Sequence, residues 1–255
     1  MEIFVYHTPD QVPDTHSTAR KGALTLELPD CAIVIDVLRA TTTMATALES
    51  GAEAIQVFDD LDALFRISQR WPIERRLLAG ERGGIKLEGF DLGNSPSECT
   101  PAQVSGKRLF MSTTNGTRAL ERVRQVPILL TASLTNRAAV VRYLLEQQPH
   151  TVWIVAAGWH GSLSLEDTIC AGAIACALNA AQDSDCAGDD ESIAAMALFE
   201  HWQTRLPQLL LYAHHGRTLM AMGCESDLDY CAQIDSVDIV PLQVEPSVLK
   251  AASLS

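Results

Sequence analysis

Positive charge is scarce in this chain: 19 lysines and arginines stand against 32 aspartates and glutamates, a formal net charge of -13. A field of that sign disfavours nucleic acid and anionic membrane surfaces as partners. No apolar run reaches the roughly 18 residues of a membrane span, and Met1-Glu2-Ile3 does not read as a signal peptide. The seven cysteines are dispersed, odd in number and without a Cys-x-x-Cys pair. Structural zinc is therefore disfavoured, and reduced thiols in a cytoplasm are the expectation. Low-complexity linkers and fixed-period repeats are absent as well.

What is present suits a folded globular protein, with 47% hydrophobic and 20% charged residues over 255 positions. That length fits one large α/β domain or two small ones. We expect a single domain over 1–255, in which the last third, from about 183, is more helical and a candidate subdomain.

The stretch from Ile33 to Met44 organises the rest. Its β-branched run Ile33-Val34-Ile35 ends in Asp36, and a short turn carries Arg39 and Thr41-Thr42-Thr43. Met44, Ala45, Ala47 and Leu48 then follow at helical spacing, with Gly51 as the stop. Strand, polar loop and helix in that order place side-chain oxygens and unpaired helix N–H groups at the carboxyl edge of a sheet, where anions bind. The competing account is that Asp36 caps a turn and Arg39 is a surface charge.

The same unit recurs. Leu109-Phe110-Met111 leads into Ser112 to Thr117 and a helix carrying Arg118; Ile128-Leu129-Leu130 leads into Thr131 to Asn136 and Arg137; Val152 to Ala157 leads into Gly158 to Ser164 and a further helix. Met1 to Tyr6, Ala54 to Phe58 and Leu77 to Ala79 read as additional strands, and Asp59-Asp60 caps a helix through Leu64. Such alternation predicts an α/β fold, a layered helix–sheet–helix arrangement with a mostly parallel or mixed sheet. Ligands of such sheets sit outside the carboxyl ends of the strands, so the polar loops should converge on one crevice.

Several loops carry candidate chemistry. Gly80-Glu81-Arg82-Gly83-Gly84 sets an acid and a cation around glycines that let the backbone turn its N–H groups toward a ligand. Thr113, Thr114, Asn115 and Thr117 crowd a strand end beside Arg118, with more polar groups than capping needs. Ser164-Leu165-Glu166-Asp167 matches a capping pattern that accounts for Asp167 and leaves Glu166 free. Adjacent acids at a crevice also suit a hard divalent cation, and with Asp36 and Glu81 four acids could meet there; magnesium is the default for an all-oxygen set. His160 could serve as a general acid or be incidental. His214-His215 point about 100° apart on a helix and cannot easily grip one metal. Cys170 lies where a helix dipole could lower a thiol pKa, although its Ala/Gly/Ile-rich surroundings argue for packing. The acidic loop Gln182 to Glu191 reads as solvated, and helices around Ile193 to Arg205 and Leu209 to Met222 precede a short one from Asp227 and an extended return from Asp235 to Pro241. Any of Arg217, Asp227 and Asp235 could reach the crevice.

Asp36-Val-Leu-Arg-Ala-Thr-Thr-Thr, Gly80-Glu-Arg-Gly-Gly, Gly93-Asn-Ser-Pro, Thr113-Thr-Asn-Gly-Thr, Glu166-Asp-x-x-Cys-Ala-Gly172 and Asp227-x-x-x-Cys-Ala232 occur together and in order. The set resembles the 2-phosphosulfolactate phosphatase family, the ComB-type enzymes of coenzyme M biosynthesis, from about 33 to 241. The resemblance implies an α/β fold and a magnesium-dependent phosphatase that hydrolyses 2-phosphosulfolactate to sulfolactate and phosphate. Other phosphatase designs fit less well. Asp36 is followed at +2 by Leu38, so the Asp-x-Asp of haloacid dehalogenases is missing. Cys170 and Cys31 lack the arginine of Cys-x5-Arg, and a P-loop lysine motif is absent.

The expectation is then a phosphatase for a small, doubly anionic 2-phospho-acid, with Asp36, Arg39, Glu81 and Glu166 as catalytic candidates. Magnesium would be held by Asp36, Glu166 and Asp167. Arg39, with Arg82 or Arg118, would clamp the anionic groups, and Thr41, Thr42, Thr114 and Asn115 would add donors, with Arg217 in reserve. The nucleophile is either metal-bound water or Asp36. A non-catalytic binding protein for a small phosphorylated acid is the alternative, and a homodimer stays open.

Overall fold

In the computed structural model, which describes residues 1–13, 28–182 and 184–252, the short apolar runs become strands and the stretches at helical spacing become helices. The strands are β1 (Glu2–Tyr6), β2 (Cys31–Ile35), β3 (Ala54–Val57), β4 (Arg76–Arg82), β5 (Ile85–Lys86), β6 (Arg108–Ser112), β7 (Ile128–Ala132), β8 (Thr151–Ala156), β9 (Pro241–Glu245) and β10 (Val248–Ala251). The helices are α1 (Ala40–Glu49), α2 (Leu61–Ser68), α3 (Pro101–Val104), α4 (Gly116–Val123), α5 (Arg137–Gln147), α6 (Leu165–Gln182), α7 (Asp190–Trp202), α8 (Leu206–Tyr212), α9 (His214–Ala221) and α10 (Glu225–Cys231).

All five residues of β2 are buried, which is what a strand covered on both faces requires. The period of two divides them between layers. Cys31, Ile33 and Ile35 share a core with α5 and α6 through Leu144, Ile169 and Ile174, whereas Ala32 and Val34 face Met44 of α1 and Leu120 of α4. The result is the expected helix–sheet–helix layering.

The sheet runs β1-β8-β2-β7-β9-β10-β3-β6-β4-β5. Strands β1, β8, β2 and β7 are mutually parallel, as are β3, β6 and β4. Between these halves lies an antiparallel hairpin, β9–β10, inserted from the far end of the chain. The extended return expected from Asp235 to Pro241 forms no strand before Pro241, where β9 begins, and the hairpin that follows is legible only once both halves are in place to pair with it. Helices cross the seam in both directions. α1 leaves β2 and packs on β9, β10 and β3 of the other side, while α4 leaves β6 and packs on β2. The loops that start these two helices therefore lie side by side.

Two further expectations change. The short strand at Leu77–Ala79 extends through Arg82, so Glu81 and Arg82 stand on a rigid strand end rather than in a loop. A Gly83-Gly84 turn then folds the chain back into β5, with Glu81 opposite Lys86 and Arg82 opposite Ile85. The helix expected from Leu209 to Met222 is broken at Ala213, whose ψ of 142° is extended, and α9 packs on α8. Asp60 caps α2 as expected, accepting from the N–H groups of Asp62 and Ala63. Among the described residues no helix is long and apolar enough to cross a membrane.

Candidate active site

The loop after β2 is shaped by its threonines. Thr41 Oγ1 donates to the Asp36 carbonyl and accepts from the Asp36 N–H, each at 2.9 Å, and Thr42 Oγ1 donates to the Val37 carbonyl at 2.8 Å. Both side chains are fully buried. Their hydroxyl protons are spent on the backbone, so they build the loop instead of supplying donors to a ligand. Thr43 does the same work at longer range, donating to the Asn94 carbonyl at 3.1 Å.

What this loop presents is Asp36 and Arg39, each only 5% exposed. Asp36 Oδ1 lies 3.4 Å from the first helical N–H, that of Ala40, while Oδ2 accepts no hydrogen bond from the described residues. Arg39 is held at two points, with Nη1 donating to Asp227 Oδ2 at 2.5 Å and Nη2 to the Gly84 carbonyl at 3.1 Å. Both residues line one crevice.

Glu81 ties the neighbouring loops together. Its Oε1 accepts from the Thr114 N–H at 2.7 Å, and Oε2 accepts from the Gly84 N–H at 2.7 Å and from Thr114 Oγ1 at 3.1 Å. Three donors on one carboxylate, itself 6% exposed, make it the clasp between the Gly83-Gly84 turn and the loop before α4. Thr114 and Asn115 reach the crevice wall beside it. Arg82 does not line the crevice; its guanidinium donates to Ser112 Oγ at 2.9 Å and to the Glu81 carbonyl at 2.8 Å.

The fourth loop brings Trp159 and His160 to the crevice and leads into α6. Ser164 caps that helix, accepting from the Asp167 N–H at 3.3 Å. The Asp167 carboxylate crosses instead to other strand ends, accepting from the Val37 N–H at 2.8 Å and the Gly158 N–H at 3.2 Å. It therefore joins the β2 and β8 loops. Its neighbour Glu166 is 2% exposed and stands 3.5 Å from His215 Nδ1. His215 stacks on Trp159 with ring centroids 3.7 Å apart and faces the same crevice. Spacing gives His214 and His215 no shared metal, and in the fold the two diverge, so that of this pair only His215 lines the crevice, the sole hint in the sequence being a histidine pair before Gly216.

Asp36 and Asp167 have raised affinity for protons. Burial pushes Asp36 up to about 6, with Glu81 and Glu166 adding to the shift and His215 opposing it. Burial likewise holds Asp167 well above the usual carboxylate range, helped by Glu166 and Asp36. The Cys170 thiol is also raised, by burial first and then by Asp167, which settles it as a packed residue.

Two expected anion contacts lie elsewhere. Arg118 is ion-paired with Asp10 and 57% exposed, on a separate groove formed with Arg122 and Arg124. Its position in the first turn of α4 sends it to the outer face, because the opposite face packs on β2. Arg217 is exposed on α9 and lines no part of the crevice.

The donors suit a hard cation only in part. Among the described residues no three His, Cys, Asp or Glu side chains gather closely enough to hold a metal by themselves. Magnesium, however, needs only one or two carboxylates beside waters and substrate phosphate. Asp36 Oδ2 and Glu166 Oε2 accept no hydrogen bond from the described residues and fit that requirement, whereas both oxygens of Asp167 already serve backbone N–H groups.

The model of a family described as 2-phosphosulpholactate phosphatase matches residues 18–246. A probable 2-phosphosulfolactate phosphatase of Microcystis aeruginosa is 55% identical over 249 residues, covering 98% of this chain and 99% of the relative. Proteins of the same description from Synechocystis, 55% identical over 99% of this chain and 100% of the relative, and from Nostoc punctiforme, 54% identical over 98% and 99%, are similar along their length.

Proposed function

The chain belongs to the 2-phosphosulpholactate phosphatase family, and on that premise we propose that its crevice hydrolyses 2-phosphosulfolactate to sulfolactate and phosphate. The observation that carries this reading is the buried guanidinium of Arg39 at a crevice whose other charged wall groups are acids, Asp36 and Glu81.

Arg39 would take oxyanion oxygens of the substrate, since a planar fork suits phosphate, sulfonate and carboxylate alike. Trp159 Nε1 and Asn94 Oδ1 are buried atoms of crevice residues that have no hydrogen-bond partner among the described residues, and they offer further polar contacts. The leaving oxygen needs a proton as the P–O bond breaks. His160 and His215 both line the crevice and are the candidates to deliver it. Glu81 and Asp167 keep the four loops in register through their backbone hydrogen bonds.

With Asp36 and Glu81 in the wall and Glu166 buried behind it, a doubly anionic substrate meets repulsion that Arg39 alone does not offset. Asp36 and Glu166 would therefore hold a magnesium ion, which when bound neutralises developing charge on the phosphoryl group. We place this activity in the cytoplasm, consistent with seven unpaired cysteines, and on a free small molecule rather than on nucleic acid or membrane.

Phosphate release from a panel of 2-phospho-acids, measured with magnesium and again with excess chelator, tests the reading. Turnover of 2-phosphosulfolactate with magnesium, lost on chelation, is expected. Full turnover in chelator would remove the metal, and binding without turnover would leave only a binding protein.

A further inference from the structure

The carboxylate of Asp227 lies one layer behind the crevice. It does not line the crevice itself, yet it is 3% exposed and comes from α10, near the far end of the chain. Its two oxygens are both engaged. Oδ2 accepts from Arg39 Nη1 at 2.5 Å, and Oδ1 accepts from Ser95 Oγ at 2.6 Å. Arg39 and Asn94 line both the crevice and a second cavity behind it, and Ser95 and Asp227 line only the second. The guanidinium thus forms the partition between the two, and Asp227 is the group that fixes it from the rear.

We propose that Asp227, oriented by Ser95, is a positioning residue for the reaction, setting the guanidinium of Arg39 at the angle from which it grips the substrate. The inference rests on the function proposed above. A long, flexible side chain loses rotamer freedom when it is fastened, and that cost is met here before the substrate arrives. The Gly84 carbonyl, 3.1 Å from Nη2, is a second anchor, so two points define the plane of the fork. A merely structural ion pair would need neither the second anchor nor a serine holding the far carboxylate oxygen. On α10 itself the other buried residues are Leu228 and Cys231 and the N-cap is Cys224, none of them a cation.

The test is a double-mutant cycle on the full chain with 2-phosphosulfolactate, combining Asp227→Asn with Arg39→Lys and reading both kcat/KM and the Kd for the same compound. Asp227→Asn is expected to lower kcat/KM by about 10- to 100-fold, the scale of a misplaced binding group. Added to Arg39→Lys it should lower it little further, because the fork that it positions is gone. Asp227→Glu should recover part of the loss. Ser95→Ala, which leaves the ion pair in place, is the second variant and should cost a few-fold with the same non-additivity. If Asp227→Asn does not fold, the Ser95→Ala and Arg39→Lys cycle decides. Additive effects in either cycle, or wild-type kinetics in both single variants, overturn the proposal. Should the wild type bind without turnover, the Kd cycle decides in the same way and only the phosphatase reading falls; a wild type that neither binds nor turns over removes both.

Discussion

Gly116 stands directly against Asp36: a Cβ on the glycine would lie 2.9 Å from Asp36 Oδ2 and 2.8 Å from the Ala40 methyl. Asp36 opens the loop after β2 and Gly116 is the first residue of α4 after β6, so the contact joins the two halves of the sheet beside the crevice that Asp36 lines. In an ordinary helix, glycine to alanine is a gain of up to about 1 kcal/mol. Here the added methyl must displace the carboxylate or part α1 from α4. Gly116→Ala is therefore expected to lower Tm and to reduce kcat/KM at least about tenfold. A raised Tm with unchanged kinetics would show that the loops have room the structure denies them.

The raised Asp36 carboxyl makes stability depend on pH in a stated direction. The unfolded chain releases this proton near pH 4, and the folded protein holds it to about 6. Within that window the folded state binds more protons, so this group's contribution falls as pH rises. Its cost is absent below about 4 and complete above about 6. In metal-free buffer Asp36→Asn should thus be more stable than the wild type at pH 7, by at least about 3 °C. The gap should close toward pH 4. The same variant should lose most turnover. A Tm difference that stays constant from pH 4 to 7 would mean that the carboxyl is not the buried acid described.

Arg39 and Arg118 should behave very differently although both begin helices beside polar loops. Replacing a charged hydrogen-bond contact typically costs on the order of 1.5–3 kcal/mol, or about 10- to 150-fold. Arg39→Ala is expected to lower kcat/KM within that range, with Arg39→Lys recovering only part because lysine lacks the fork. Arg118→Ala removes an exposed pair with Asp10, and exposed pairs contribute little, so kcat/KM should stay within about twofold. Equal effects of the two alanine variants would place the substrate outside the crevice.

The sequence by itself determined the strand–loop–helix units, the layered α/β class and the crowding of polar residues at strand ends. Those features are local. A period of two or of 3.6, a capping aspartate such as Asp60 and a Gly-Gly turn act within a few residues, so they are legible without the rest of the molecule. Tertiary structure alone decided which polar groups face the crevice and which hold it together. Thr41 and Thr42 look like ligand donors in one dimension, and in three they are spent on the carbonyls of Asp36 and Val37. Asp167 reads as a helix cap, and its carboxylate bonds to the Val37 N–H 130 residues away. His215 and Asp227 reach Glu166 and Arg39 only because α9 and α10 pack there, and the Arg39–Asp227 pair spans 188 residues of chain. Such partners are chosen by burial: a charge or N–H closed off from water must find whatever group the packing brings to it, and local spacing carries no record of that choice.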